Sequence, residues 1–502
     1  MIEGNDVTMD PKFDLDDPRR LHESVASLTR RSFLQSGAGL GLIAAGTLLT
    51  GKSFGAIPAG GTLVNKGVLK NGHFPARARR VVSIQMVGAV SQSDSFDYKP
   101  TLIKMHGQEI PPSVKNKGGR ISAMSNAQSA FPLIAPIKPY RQYGESGSWV
   151  SDLFPCLGRV ADDIAFIHSM TTEHVNHDPA SMFLQTGFQL SGRPSAGAWV
   201  SYALGTDNAN VPAFIVMKSQ HQSAGVATNI GMWGPGFLPS HYQGVEFRAG
   251  AEPVPYIGSP PGLDRQQRRA QLDVIDALAK EQYGVSGDPE ILSKVSQYEM
   301  AYRMQESIPG IADISDEPRY ILDLYGPDVH TPGTFARNCL LTRRLIERGV
   351  KFVQLAQVGW DHHVRIHVRH PPDAAAVDQP SAALIADLKQ RGLLEDTLVV
   401  WGSEFGRTSY GQGTLSDTVG RDHHGGCFTY LMAGAGIRGG THYGETDEFS
   451  YNVVKNPVTV HDLHATMLYL LGIDHKQLTF HYQGRDFRLT DVFGEVVKPI
   501  LA

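Results

Sequence analysis

Between Lys351 and His370 the sequence reads KFVQLAQVGWDHHVRIHVRH, so carboxylate and imidazole side chains gather directly behind an apolar run. In an extended segment residues i and i+2 point the same way, so Asp361 and His363 can converge on one point. Neutral imidazole together with carboxylate suits zinc or another transition ion. These residues therefore predict a metal site just past the end of a strand.

Other polar clusters stand beside apolar runs in the same manner. Gly402-Ser403-Glu404-Phe405-Gly406-Arg407 follows the run 397–401, and Arg421-Asp422-His423-His424 precedes the run 428–432. After the run 80–87, the loop Ser91-Gln92-Ser93-Asp94-Ser95-Phe96-Asp97 supplies two more carboxylates. His177 stands two residues before Pro179, which fits the first turn of a helix. Backbone N–H groups at a helix start favour an anionic group, so His177 is a candidate catalytic residue.

Polar clusters at the ends of several strands are what an open α/β sheet uses to build a site. The apolar runs 80–87, 164–168, 352–356, 397–401 and 428–432 have strand length and bulk. Helical patterns at 152–160, 179–185, 334–348 and 377–390 alternate with them. Alternation of this kind predicts a mostly parallel sheet with helices on both faces. Residues 262–322 are charged, glutamine-rich and helically periodic, and they read as a helical hairpin inserted in that domain. Residues 102–147 are rich in glycine and proline and predict an irregular excursion.

The chain has 502 residues and a formal charge of −4, with no long basic run or interleaved aromatic stripe, which excludes a nucleic-acid partner. Three cysteines, Cys156, Cys339 and Cys427, exclude a disulfide framework and a CxxC zinc site. Near the start, Thr29-Arg30-Arg31-Ser32-Phe33-Leu34 precedes a glycine-broken apolar run and then small residues. This order is that of a twin-arginine export signal, so residues 1–60 read as leader and linker, and 61–502 as a single α/β domain. The expected location is periplasmic or extracellular, with membrane attachment only if the leader stays uncleaved.

The segments GAVSQSDSFDYKP, GWDHH, SEFGRT and GRDHHGG, with the ending HDLHATMLYLLGIDHKQLTFHYQGRDFRLTDVFG, resemble the exported bacterial family known as domain of unknown function 1501. That family is placed beside the sulfatase and alkaline phosphatase superfamily. The resemblance implies an alkaline-phosphatase-like sheet whose edge binds one or two divalent ions, zinc, manganese or calcium. It further implies hydrolysis of phosphate or sulfate esters. By motif it assigns Asp361, His363 and His423 to one metal site, preferring His423 over His424. Glu404 and Asp94 are assigned to a second site.

Departures from the superfamily pattern leave the activity open. His177 occupies the nucleophile's slot, Ser181 stands where arginine is usual, and Phe405 replaces a histidine or asparagine of the second metal site. His177 is then a nucleophile, a general acid and base, or a metal ligand beside an attacking water. Arg407 is expected to clamp phosphate or sulfate oxygens. The expected partner is an anionic ester, a sulfated or phosphorylated glycan among the options. The alternative is an exported binding protein without catalysis that holds a glycan or a partner protein. A metal-dependent isomerase or mutase is a third reading.

Overall fold

The runs around residues 81, 353 and 398 form neighbouring strands because each alternates which face it turns inward while both faces stay apolar. In the computed structural model, which describes residues 67–502 except 118–120, 123, 220–227, 249–252 and 255–261, the sheet has nine strands. The expected export leader, residues 1–60, lies outside the described residues. We number the strands β1 (Arg80–Val87), β2 (Ile164–Thr171), β3 (Phe214–Ser219), β4 (Val245–Phe247), β5 (Phe352–Val358), β6 (Thr397–Gly402), β7 (Gly406–Gly411), β8 (Arg421–His424), β9 (Phe428–Ala433), β10 (His442–Tyr443) and β11 (Val458–Thr459). Sheet order is β10-β2-β9-β6-β1-β5-β3-β4, with β11 also on β2. β7 and β8 make a separate antiparallel ribbon.

One sheet face buries Val82, Ile84, Val353, Leu355, Val399 and Trp401. Against them pack Leu340 and Leu345 of helix Phe335–Glu347 and Leu384 of helix Ile366–Gln390. The other face buries Val81, Phe352, Leu398 and Val400 under Trp199, Leu463 and Met467. A period of two inside a sheet covered on both sides gives such near-continuous apolar strands.

The sheet is mostly parallel, as expected. β1, β5, β6 and β3 are parallel neighbours, but β9 runs antiparallel to both β6 and β2. The connection from β6 to β9 carries the β7–β8 ribbon and no crossover helix. Without that crossover the chain re-enters the sheet from the end at which it left. Helix Ile366–Gln390 also starts earlier than the sequence pattern predicts, continuing through Pro371, Pro372 and Pro380. Ile366, His370, Ala374 and Val377 recur on one face and are all buried, and that packing outweighs the hydrogen bonds lost at the prolines.

Residues 262–322 hold helix Arg265–Ser286, opened by a capping box between Asp264 and Gln267, and helix Pro289–Ala312, capped by Asp288. The second of these also reaches the core. Its Met304, Ile308 and Ile311 enter the core on the face of Val353 and Leu355. The excursion 102–147 forms short helices and the hairpin Tyr140–Tyr143 with Ser148–Ser151.

Candidate metal centre

The parallel strands β1, β5 and β6 end together, so the chain just past each end meets the others. After β1, a side chain at Gly88 (φ 110°) would place its β-carbon 2.7 Å from the Asp361 nitrogen, so only glycine admits this approach. After β5, Gly359 turns the chain into Trp360, which is fully buried and holds the following residues in place. After β6 come Glu404 and Phe405. Helix α1 (His177–Thr186) begins just past β2, and β8 delivers His423 from the ribbon.

Four side chains from three segments converge there: His177, Asp361, His363 and His423. Asp361 Oδ1 lies 2.8 Å from His363 Nε2, 3.2 Å from His423 Nε2 and 3.3 Å from His177 Nε2. Each imidazole is held from behind through Nδ1. His423 Nδ1 donates to the Val175 carbonyl at 2.7 Å, His177 Nδ1 to Glu404 Oε1 at 2.6 Å and His363 Nδ1 to Gln412 Oε1 at 2.5 Å. A carbonyl can only accept, so His423 carries its proton on Nδ1 and turns an Nε2 lone pair inward. The same reasoning applies to His177 against the Glu404 carboxylate.

The inward atoms crowd one another. His363 Nε2 and His423 Nε2 are 2.9 Å apart, and buried His177 Nε2 makes no aligned hydrogen bond. Lone pairs at this spacing repel unless a proton or cation lies between them. Three imidazoles oriented by outer acceptors, with one carboxylate oxygen, fit a transition ion bound about 2.0–2.2 Å from each atom.

Charge at the site follows from burial and contact. Burial alone would raise the Asp361 carboxyl, yet the close imidazoles of His177, His363 and His423 and the charge of Arg407 hold it far below the usual carboxylate range. For His177 burial pulls downward, but the neighbouring carboxylates of Asp361 and Glu404 prevail and raise it above the ordinary imidazole value. His423 is lowered, first by burial and then by Arg407 and the neighbouring imidazoles, against the pull of Asp361.

Several expected site residues stand elsewhere. Arg407 is 1 % exposed and cannot reach an ester. Its Nε donates to the Ala89 carbonyl at 3.1 Å, Nη1 to that of Arg421 at 3.1 Å, and Nη2 to Asp361 Oδ1 at 2.6 Å and to the Gly88 carbonyl. Arg407 therefore braces Asp361 from behind. Asp94 lies outside the four-donor group. Its Oδ2 takes Arg421 Nε at 2.7 Å and Ser91 Oγ at 2.6 Å, and its Oδ1 takes Arg421 Nη2 at 3.1 Å and the Ile137 N–H at 2.9 Å. Glu404 also lies outside the group, accepting from Gly88 N at 2.8 Å and from His177, while its Oε2 has no partner among the described residues. Phe405 fills the neighbouring space, with its ring 4.9 Å from that of His177 and 4.8 Å from that of His423.

The adjacent histidines turn away. His362 Nε2 pairs with Asp373 at 2.7 Å, His424 Nε2 donates to the Tyr451 carbonyl at 2.5 Å, and His367 is exposed. Gln412 and the Val175 carbonyl carried no signal in the sequence, since neither belongs to a spacing pattern. Asp422 is a further supporting residue, accepting the His423 N–H at 2.7 Å and the Ser125 hydroxyl. Replacing Glu404 by Gln is expected to weaken metal binding about 10–100-fold, the effect of losing an outer-shell carboxylate. Competition with a chelator indicator measures it; unchanged affinity would remove Glu404 from the site.

No curated protein matches the chain. Among solved structures, a sulfatase from Pseudoalteromonas sp. (PsFucS1) is similar at 14% identity and TM-score 0.33, covering 79% of this chain and 68% of that one. The phosphonate monoester hydrolase SpPMH from Silicibacter pomeroyi is similar at 14% identity and TM-score 0.32, covering 69% and 71%. The lipoteichoic acid synthase LtaP from Listeria monocytogenes is similar at 9% identity and TM-score 0.32, covering 83% and 76%. The family described as "Protein of unknown function (DUF1501)" matches residues 78–501, from just before β1 to the end of the chain. The stretch includes every residue of the four-donor group, and the chain is a member of the DUF1501 family.

Proposed function

We propose that this protein is an exported, metal-dependent hydrolase of phosphate or sulfate esters, with His177, Asp361, His363 and His423 as the ligands. The observation that carries the reading is the convergence of three Nε2 atoms on Asp361 Oδ1, each imidazole being fixed from behind. Zinc or manganese suits this donor set better than calcium, which takes six to eight oxygens. When bound, the ion would supply Lewis acidity to an ester oxygen and a lower pKa to a water.

The chain's own part is orientation. Glu404 fixes the tautomer of His177, and Arg407 keeps the Asp361 carboxylate ionised and aimed. The 33% exposed side chain of Asp361 marks the side open to an anionic substrate. In this reading His177 is a ligand and water is the nucleophile.

A second reading, an exported protein that binds a glycan or a partner without turnover, is favoured by two observations. Four protein donors complete a tetrahedral shell, as structural ions prefer, and Arg407 is not available to grip an ester. Elemental analysis of the purified protein, followed by assays on aryl phosphates, sulfates and phosphonates, separates the readings. About one equivalent of zinc or manganese with turnover supports the hydrolase. One equivalent without turnover on any ester supports the binding protein, and no retained ion under zinc or manganese supplementation overturns the hydrolase and leaves the binding protein.

Export is the remaining element of the proposal. No helix among the described residues is long and apolar enough to cross a membrane. Replacing Arg30 and Arg31 by lysine is expected to hold most of the protein in the cytoplasm, read by fractionation and immunoblot. Unchanged export would rule out the twin-arginine route.

A further inference from the structure

The charged side chains around the four-donor group are unequal in sign. Asp361 belongs to the group itself. Two further carboxylates stand directly behind its imidazoles. Buried Glu404 lies 2.6 Å from His177 Nδ1, and buried Asp422 has its Oδ1 3.8 Å from His363 Nδ1 while it also accepts the His423 N–H. Against these carboxylates stands one buried guanidinium, that of Arg407, whose Nη2 lies 2.6 Å from Asp361 Oδ1. Arg421, the other buried guanidinium of the ribbon, is taken by Asp94.

Histidines that hold a metal ion are neutral. Asp361, Glu404 and Asp422 against Arg407 therefore leave an excess of two negative charges, which a single divalent ion just cancels. Salt screens buried groups far less than exposed ones, so this balance acts at full strength on whatever meets the ion. The exposed charges of the flanking segments, Glu173 and Asp178 against Arg365 and Arg369, are equal in number and open to water. A sulfate monoester or a phosphate diester brings one negative charge to the ion. A phosphate monoester brings nearly two at neutral pH, and its second charge meets Glu404 and Asp422 across the imidazoles they hold.

We propose that the centre selects its substrate by charge, taking a singly charged tetrahedral oxyanion ester rather than the dianion of a phosphate monoester. The inference rests on the hydrolase reading for the ion. Glu404 and Asp422 are then specificity determinants that act through the ligands His177, His363 and His423.

The test is equilibrium binding to the zinc-loaded protein at about pH 8.5, above the histidine range, so that the ion is retained. The probes share a phenyl ring and contain no ester bond: phenylphosphonate carries a double charge, methyl(phenyl)phosphinate and benzenesulfonate a single one. The phosphinate is expected to bind at least about tenfold more tightly than the phosphonate, the lower end of what a unit charge within ~4–6 Å does to an ionisation. Comparison of benzenesulfonate with the phosphinate tells a sulfate from a phosphoryl source of the single charge. Asp422→Asn removes a negative charge at nearly constant shape and is expected to narrow the preference severalfold. Glu404→Gln, at saturating zinc, is expected to do the same, and it carries the comparison if Asp422→Asn does not fold. Phenylphosphonate binding as tightly as the phosphinate, or a preference unchanged in the folded, zinc-loaded variants, overturns the proposal. Because no probe is hydrolysed, the two readings fail separately. A phosphinate preference without turnover of any ester keeps the charge selection and removes the hydrolase, whereas turnover of phosphate monoesters with phenylphosphonate preferred does the reverse.

Discussion

Asp361→Ala is expected to release the ion and to destabilise the protein in one step. Its Oδ1 is the shared contact of three imidazoles and of Arg407 Nη2, all within 3.3 Å. Loss of a direct ligand should weaken metal binding more than the roughly 100-fold upper range of outer-shell partners. Arg407, 1 % exposed, would lose the only carboxylate it pairs with among the described residues. Removing one partner of a buried pair costs about 3–5 kcal/mol, and the partial exposure of Asp361 favours the lower end. Metal content and urea unfolding of the same preparation measure both effects. A folded Asp361→Ala protein with full metal would remove Asp361 from the ligand set.

The same contacts set a pH dependence. Asp361 is held below the usual carboxylate range, so it remains ionised wherever the histidines titrate. Ion binding must displace imidazole protons, and affinity should fall as pH drops through the histidine range near ~6.5. Since His177 holds its proton more tightly than an ordinary imidazole, the fall should begin above that value. In the metal-free protein the raised His177 contributes stability that is present below ~6.5 and is lost as pH rises through its higher folded value. The depressed Asp361 contributes stability present above ~3.9 and lost as pH falls toward its folded value. Metal should therefore stabilise most at alkaline pH, which thermal melts with and without zinc between pH 5 and 9 would show.

The second large effect belongs to Asp94, and its character is different. Asp94 and Arg421 form a pair in which neither side chain is exposed, with the carboxylate taking both Nε and Nη2. Burial alone would raise the Asp94 carboxyl, and the charge and hydrogen bonds of Arg421 lower it instead. Asp94→Asn leaves the arginine charge uncompensated in the interior, at a cost of about 3–5 kcal/mol. Metal content should nonetheless stay near that of the wild type. The paired measurement thus separates two carboxylates that look alike in the sequence. Equal loss of metal from folded Asp94→Asn and Asp361→Ala would return Asp94 to the ligand set.

Local pattern was enough for β1, β5 and β6 and for the polar clusters behind them, because strand period and glycine punctuation act over a few residues. It was also enough to bring Asp361 and His363 to one side, since residues two apart in extended chain share a direction. The remainder depended on partners far away in the chain. Arg407 turns inward because carbonyls of Gly88 and Ala89, more than 300 residues earlier, need donors at the sheet edge. Asp94 was withdrawn by Arg421, 327 residues later, and Glu404 reaches His177 across 227 residues. The direction of β9 followed from the absence of a crossover helix, and Phe405 closed the space beside His177 and His423 by packing against both. Residue types and spacing determined which groups could do chemistry. Only the tertiary structure decided which way each one faced, because a buried polar group turns toward the partner that satisfies it, and that partner is chosen by the fold.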